Sequence, residues 1–228
     1  MLLCMRSGKK TSVVHFAEEV FPAEAHCNGR VADATACSAT IAKTYTQCKP
    51  FLPRHAIPTI VSLSSTHTHM ALVTLPHTLV NEARVLEEAG KDIPIHPETT
   101  LTDWQIVGER DGKVEIFVVS TPRSVSDELA TTLEMSGCFP SVIENESIAL
   151  ARLFGGNEPQ GIIDLGASRT LLLITRGEIP LFTMSLPFTG HMLTEQIART
   201  LKLSFAEAEE TKKRCGFGGY HHLKTVFA

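Results

Sequence analysis

Gly161-Ile162-Ile163-Asp164-Leu165-Gly166-Ala167-Ser168-Arg169-Thr170-Leu171-Leu172-Leu173-Ile174 is an apolar strand, an Asp-x-Gly-x-Ser-x-Thr turn and a second apolar strand. A hairpin of this kind gathers backbone N–H groups and two hydroxyls around one point, with a carboxylate at the edge. That donor set suits a phosphate, and the carboxylate suits a hydrated Mg²⁺. A purely structural hairpin gives the same pattern, so the residues downstream must decide between the two readings.

Downstream the pattern continues as strands at 169–175 and 178–186, turned at Arg176-Gly177. A helix opens near Gly190, with Leu193, Ile197 and Leu201 spaced by four. Backbone N–H groups at its start could face phosphates or a sugar. Ser204-Phe205-Ala206-Glu207 is a capping box that opens a second helix. On that helix Glu209 and Lys212 stand three apart and share a face, where an acid and a base together can hydrogen-bond ribose hydroxyls. A lone Glu-x-x-Lys is ordinarily a solvated ion pair contributing about 0.2–0.5 kcal/mol.

The earlier chain reads as mixed α/β. Strands are expected at Leu2–Met5 and 11–21 around a Ser7-Gly8 turn, followed by a helix at 33–48 ended by Pro50 and Pro53. Further strands are expected at Ile60–Ser64 and His69–Leu75. A helix at Thr78–Ala89 carries Leu79, Ala83, Leu86 and Ala89 at helical spacing and is closed by Gly90. Thr100–Val107 and Val114–Ser120 form a hairpin across Asp111-Gly112. Helices follow from Ser126 to Met135, with Leu129 and Leu133 on one face, and at 146–154. The stretch 57–138 reads as a compact α+β subdomain. Beyond Gly216 the pattern thins to Gly218-Gly219-Tyr220-His221-His222.

Composition excludes several classes. Of 228 residues 43% are hydrophobic and 20% charged, an ordinary globular balance. The formal charge of −4 leaves no electrostatic footprint for nucleic acid. Cysteines at 4, 27, 37, 48, 138 and 215 form no Cys-x-x-Cys pair, so they read as reduced thiols of a cytoplasmic protein. No apolar run approaches the ~20 residues of a membrane span. His67-Thr68-His69 resembles a His-x-His metal pair, but the other ligands of such a site are not placed by this strand order. Gly166-Ala167-Ser168-Arg169-Thr170 lacks the second glycine of a hydrolase nucleophile turn. Cys215, beside Lys212, Lys213 and Arg214, has no acid or His partner nearby.

Taken in order, Asp164-x-Gly166-x-Ser168-x-Thr170, Gly190-x-x-x-Thr194 and Ala208-Glu209-x-x-Lys212 resemble the second half of an actin-like ATPase nucleotide site. Within that superfamily the match is to the PilM family of type IV pilus assembly proteins, which is related to FtsA. Glu87-Glu88-Ala89-Gly90-Lys91-Asp92-Ile93-Pro94-Ile95 with Leu101–Gly108 is similar to the family's E-A-x-x-x-I-P, D-Y-x-V-L-G segment. Met135–Cys138 with Val142–Arg152 resembles its G-L-x-P-x-V-V-D-x-E-A-x-A-L-x-R run. The resemblance spans about 11–216.

The resemblance implies an α/β actin-like ATPase (ribonuclease H-like) fold with an inserted small α+β subdomain, incomplete at both termini. Residues 1–56 and 139–158 would make the first subdomain, 57–138 the insertion and 159–228 the start of the second. The family's first phosphate loop, D-I-G-S-S-S-x-K, and its Gly-rich adenine loop have no counterpart here, and Thr189 stands where the family usually has a glycine. ATP and Mg²⁺ are the implied cofactors, with weak binding expected. Asp164 would hold Mg²⁺ through water, while Gly166, Ala167, Ser168 and Thr170 would meet phosphates. Gly190 would let the backbone approach the nucleotide, and Glu209 and Lys212 would hold the ribose. No catalytic residue is implied. The implied role is a nucleotide-dependent scaffold on the cytoplasmic face of the inner membrane, binding the cytoplasmic tail of a bitopic PilN-like protein and self-associating. The alternative is an FtsA-like or secretion-system adaptor that only binds proteins, its nucleotide site decayed.

Overall fold

The expected Ser7-Gly8 turn joins the first two strands, β1 (Leu2–Ser7) and β2 (Lys10–Phe16), which pair antiparallel. Gly8 adopts φ +61°, a left-handed conformation free of the Cβ clash other residues meet. β2 ends at Phe16 rather than running to Phe21, and the β1–β2 ladder closes on the reciprocal pair Met1 and Ala17, with the Ala17 N–H donating to the Met1 carbonyl at 3.0 Å. The computed structural model describes residues 1–8, 10–22, 24–27, 29–48, 57–156 and 158–216. Pro50 and Pro53, read as the stop of the first helix, and the 218–222 stretch lie outside these residues.

A short hairpin, β3 (His26–Cys27) with β4 (Arg30–Val31), leads into α1 (Ala34–Gln47). Asp33 caps that helix by accepting the Ala36 N–H at 3.0 Å, satisfying one of its orphan donors. After β5 (Pro58–Leu63) the chain builds its own three-stranded antiparallel sheet from β6 (His69–Pro76), β7 (Thr100–Arg110) and β8 (Lys113–Pro122), in the order β6-β8-β7. Asp111 and Gly112 turn β7 into β8 with φ of 55° and 71°, the double positive φ of a tight two-residue hairpin turn.

Strand alternation puts Ala71, Val73 and Leu75 on the same side of that sheet as Val114, Ile116 and Val118. They pack against α2 (Glu82–Ala89) through Val85 and Ala89. The helix starts later than expected; of the expected face Ala89 is buried, with Val85 beside it in place of Leu79 and Ala83. Asn81 caps it through the Arg84 N–H at 3.1 Å, and Leu79 sits in a short 3-10 turn at His77–Leu79 with nearly half its surface exposed. Ala83 is exposed as well. Full burial of a side chain such as Val85 or Ile116 contributes about 1.5–3 kcal/mol, which makes this sheet and helix a core in their own right.

α3 (Arg123–Met135) follows and packs on α1, with Val125 and Leu133 buried. Its Glu128 carboxylate receives the Arg30 guanidinium in a two-pronged ion pair that fastens the β3–β4 hairpin to the helix. β9 (Phe139–Asn145) then returns to lie parallel to β5, with Ser141 donating to the Thr59 carbonyl 82 residues back. The sequence reading did not assign this strand. Where β5 and β9 end, Ser65 N–H donates to Glu146 at 2.6 Å, and Asn145 Oδ1 accepts from Ser147 N–H at 2.8 Å.

The chain divides into two compact units, Met1–Ala149 and Leu150–Ala228, with the boundary inside α4 (Glu146–Phe154). In the second unit β10 (Gln160–Leu165), β11 (Thr170–Arg176) and β12 (Ile179–Leu186) form an antiparallel meander close to the expected ranges. α5 (Gly190–Leu201) and α6 (Phe205–Cys215) follow. Leu193, Ile197 and Ala208 form the buried seam between the two helices, and Cys215 packs at its edge. Leu201 is the last residue of α5, where Lys202 turns left-handed and stops the helix. One face of the meander buries Leu171 and Leu173. The other leaves Ile163, Ile174, Phe182 and Met184 exposed.

Candidate functional site

The turn between β10 and β11 is closed by the Gly166 N–H donating to the Arg169 carbonyl at 2.9 Å. A Cβ on Gly166 would stand 2.4 Å from that same carbonyl oxygen, so the turn requires glycine here. The start of α5 then docks on the turn. Gly190 N–H donates to the Gly166 carbonyl at 2.9 Å and His191 N–H to the Ala167 carbonyl at 2.8 Å. Thr189 caps the helix by accepting the Met192 N–H at 3.2 Å. The first N–H groups of α5, which the sequence reading aimed at a ligand, are thus held by the protein itself. Gly190 permits the contact: a Cβ there would press on the Ala167 Cα and the Gly166 carbonyl at 3.3 Å.

The second half of the site is a polar knot between α5 and α6. Lys212 Nζ donates to the Gly190 carbonyl at 3.0 Å, to Thr194 Oγ1 at 2.8 Å and to Glu209 Oε2 at 2.7 Å. Thr194 Oγ1 in turn lies 2.5 Å from Glu209 Oε2. The Lys212 hydrogen bond, reinforced by the Thr194 hydroxyl, pulls the Glu209 carboxyl down to a pKa of about 2 against the opposing cost of burial. Glu209 is therefore an anion across the physiological range. The side chains of Glu209 and Lys212 keep 26% and 20% of their exposure, so both can be reached from solvent.

Geometry separates the sequence-nominated residues into groups. Gly166, Ala167 and Gly190 meet at the docking seam, and Glu209 and Lys212 meet beside it through the Gly190 carbonyl. Asp164 and Ser168 are exposed around the turn. Thr170 is buried, and its hydroxyl donates to the Phe188 carbonyl, fixing the approach to α5. Thr194 was not nominated as a site residue, yet it is the centre of the knot. The Gly190-x-x-x-Thr194 spacing carried the signal, because four residues along a helix return a hydroxyl to the same face. Among the described residues no three His, Cys, Asp or Glu side chains gather as metal ligands, so His67 and His69 find no third. No described helix is long and apolar enough to cross a membrane.

A carboxylate and a hydroxyl exposed at the turn, beside a partly exposed acid–base pair, are the chemical types that phosphates and a sugar diol call for. The fit is partial, since the helix N–H groups and the Thr170 proton are already engaged. A meander with this turn, two helices clasped behind it, and a separate sheet-bearing insertion define an actin-like ATPase fold. The sequence pattern of the family described as type IV pilus assembly protein PilM matches residues 1–224. The chain belongs to that family. Among solved structures it is similar to the PilM-PilN type IV pilus biogenesis complex, at 21% identity over 98% of this chain and 69% of that one, with a TM-score of 0.73. It also resembles the ethanolamine utilization protein EutJ from Carboxydothermus hydrogenoformans (16% identity, 88% of this chain and 53% of that one, TM-score 0.52). MreB5 of Spiroplasma citri bound to AMPPNP is similar at 15% identity, 94% of this chain and 50% of that one, with a TM-score of 0.51. The chain spans half to about seven-tenths of these proteins.

Proposed function

We propose that this protein is a nucleotide-responsive scaffold of type IV pilus assembly, in which ATP is a ligand rather than a substrate turned over for its own sake. The single observation that carries the reading is the tie from Lys212 to the Gly190 carbonyl, with Glu209 held ionised beside it. A ribose can replace one partner of that knot without leaving a charge unpaired. Asp164 would hold Mg²⁺ through water, Ser168 would donate to a phosphate, and Glu209 and Lys212 would take the sugar hydroxyls. Gly166, Ala167, Thr170 and Gly190 shape the seam. A bound Mg²⁺ would supply charge neutralisation at the phosphates.

The complex that resembles this chain joins PilM to PilN. The partner we infer here is the cytoplasmic tail of a PilN-like inner-membrane protein, bound by the unit 1–149, with this chain at the cytoplasmic face of that membrane. Subdomains at 1–56 with 139–158, at 57–138 and from 159 onward are part of the same reading. Equilibrium dialysis with Mg-ATP tests the nucleotide half. Saturable binding, lost in Asp164→Asn and Lys212→Met and retained in Asp127→Asn, is the expected result. Binding that ignores both site variants overturns the assignment of the site. A PilN-like tail peptide that binds with the same affinity with and without Mg-ATP favours instead a protein-interaction module.

A further inference from the structure

All three N–H bonds of the Lys212 ammonium are taken, by the Gly190 carbonyl at 3.0 Å, Thr194 Oγ1 at 2.8 Å and Glu209 Oε2 at 2.7 Å. The Thr194 hydroxyl has a single proton and two acceptors within reach, Glu209 Oε2 at 2.5 Å and the Gly190 carbonyl at 2.9 Å. The carboxylate is the closer and the stronger acceptor, so it holds that proton in the closed junction. Thr194 has no exposed surface, while the Glu209 and Lys212 side chains remain partly exposed. A ligand therefore reaches the acid and the base but not the hydroxyl between them.

A sugar hydroxyl that enters here accepts from Lys212 and donates to Glu209, so it must displace one of the ammonium's partners. Glu209 is the costly one to give up, because its charge lies in a largely buried setting. The N–H on Thr194 points where no ligand fits. The Gly190 carbonyl is left, and Thr194 offsets that exchange. As the sugar proton reaches Glu209, the Thr194 proton turns to Gly190, and Lys212 moves from Gly190 to the sugar oxygen. Glu209, Gly190 and Lys212 each end with as many partners as before. Resting on the nucleotide reading above, we propose that Thr194 is a positioning residue that selects a nucleotide with free ribose hydroxyls, by handing its one proton from Glu209 to the Gly190 carbonyl. A valine at this position would fill the same space and break the exchange. Gly190 would lose Lys212 with nothing in its place, and the N–H released from residue 194 would face a buried methyl group.

The test measures the affinity of the full chain for Mg-ATP and for the magnesium complex of 2′,3′-dideoxy-ATP, which lacks both ribose hydroxyls. Wild type and Thr194→Ser are expected to favour Mg-ATP by about tenfold or more. Thr194→Val, checked for folding by thermal unfolding, is expected to bring the two affinities within about threefold, chiefly through weaker Mg-ATP binding. Thr194→Ala gives the same readout should valine prevent folding. Equal weakening of both nucleotides in the valine variant marks a merely structural role and overturns the proposal. A preference for Mg-ATP that survives loss of the hydroxyl, or that serine does not keep, overturns it too. Wild type that binds both nucleotides equally overturns it and leaves the nucleotide reading standing, whereas wild type that binds neither removes both.

Discussion

Lys212 Nζ and the Gly190 carbonyl stand 3.0 Å apart, tying the last turn of α6 to the first turn of α5. The same ammonium neutralises Glu209 and orients Thr194, so one side chain organises the junction on which the nucleotide reading depends. Removing it takes the nearest cation from a largely buried carboxylate and leaves one Thr194 hydroxyl to serve both Glu209 and the Gly190 carbonyl. Lys212→Met is expected to lower unfolding free energy by about 1–3 kcal/mol. Urea denaturation of the variant against Lys213→Met, whose parent contact to Glu209 is a looser 3.6 Å on the open surface, checks it.

Acid should loosen the same junction. The Glu209 carboxyl titrates near 2 in the folded chain and near 4.5 in the absence of these contacts, so its folded pKa is depressed. Its contribution is complete above about pH 4.5 and is lost as pH falls toward 2. Stability curves of wild type and Glu209→Gln should therefore converge across that window and run parallel above it. A Glu209 carboxyl carbon that titrates near 4.5 by NMR would sink this expectation.

Gly166→Ala should cost about 2–3 kcal/mol, since its Cβ would lie 2.4 Å from the Arg169 carbonyl within a closed turn. Gly161→Ala, on β10 with no atom within 4 Å of the added Cβ, is the control and should change stability by less than about 0.5 kcal/mol. Thermal unfolding of the pair reads the difference.

Both halves of the capping box are present at α6, with Ser204 N–H donating to Glu207 at 2.9 Å and Glu207 N–H to Ser204 at 3.3 Å. Ser204→Ala is expected to cost about 1 kcal/mol. Amide exchange should rise first in the opening turn of α6, because fraying begins at the uncapped end.

Local chemistry explains which parts of the fold the sequence revealed. Asp111-Gly112, Arg176-Gly177 and the Ser204–Glu207 box act within four residues, and each appears where its spacing puts it. β9 has no such signal. Its seven residues include Pro140, and what holds them is parallel pairing with β5 across 82 residues. The face of α2 is legible only in part, for a related reason. Leu79 fits the helical period but lies upstream of the Asn81 cap, so the buried face is carried by Val85 and Ala89. At the site, the three-residue spacing of Glu209 and Lys212 showed in advance that they would meet. That Thr170 points to the Phe188 carbonyl depends on where the chain returns after β12, and no local pattern encodes it.

The long span between β5 and β9 also orders events in time. Their pairing must close a loop that contains the whole β6–α2–β7–β8 unit, while every strand pair inside that unit is joined more locally. If the inner sheet forms first, it shortens the effective span and lowers the entropy lost on closure. The insertion then acts as a clamp that brings its own anchoring strands together. Pulse-labelled exchange should find Val114–Val118 protected before Thr59–Leu63, and the clasp of β5 on β9 would set the pace at which the first unit becomes native.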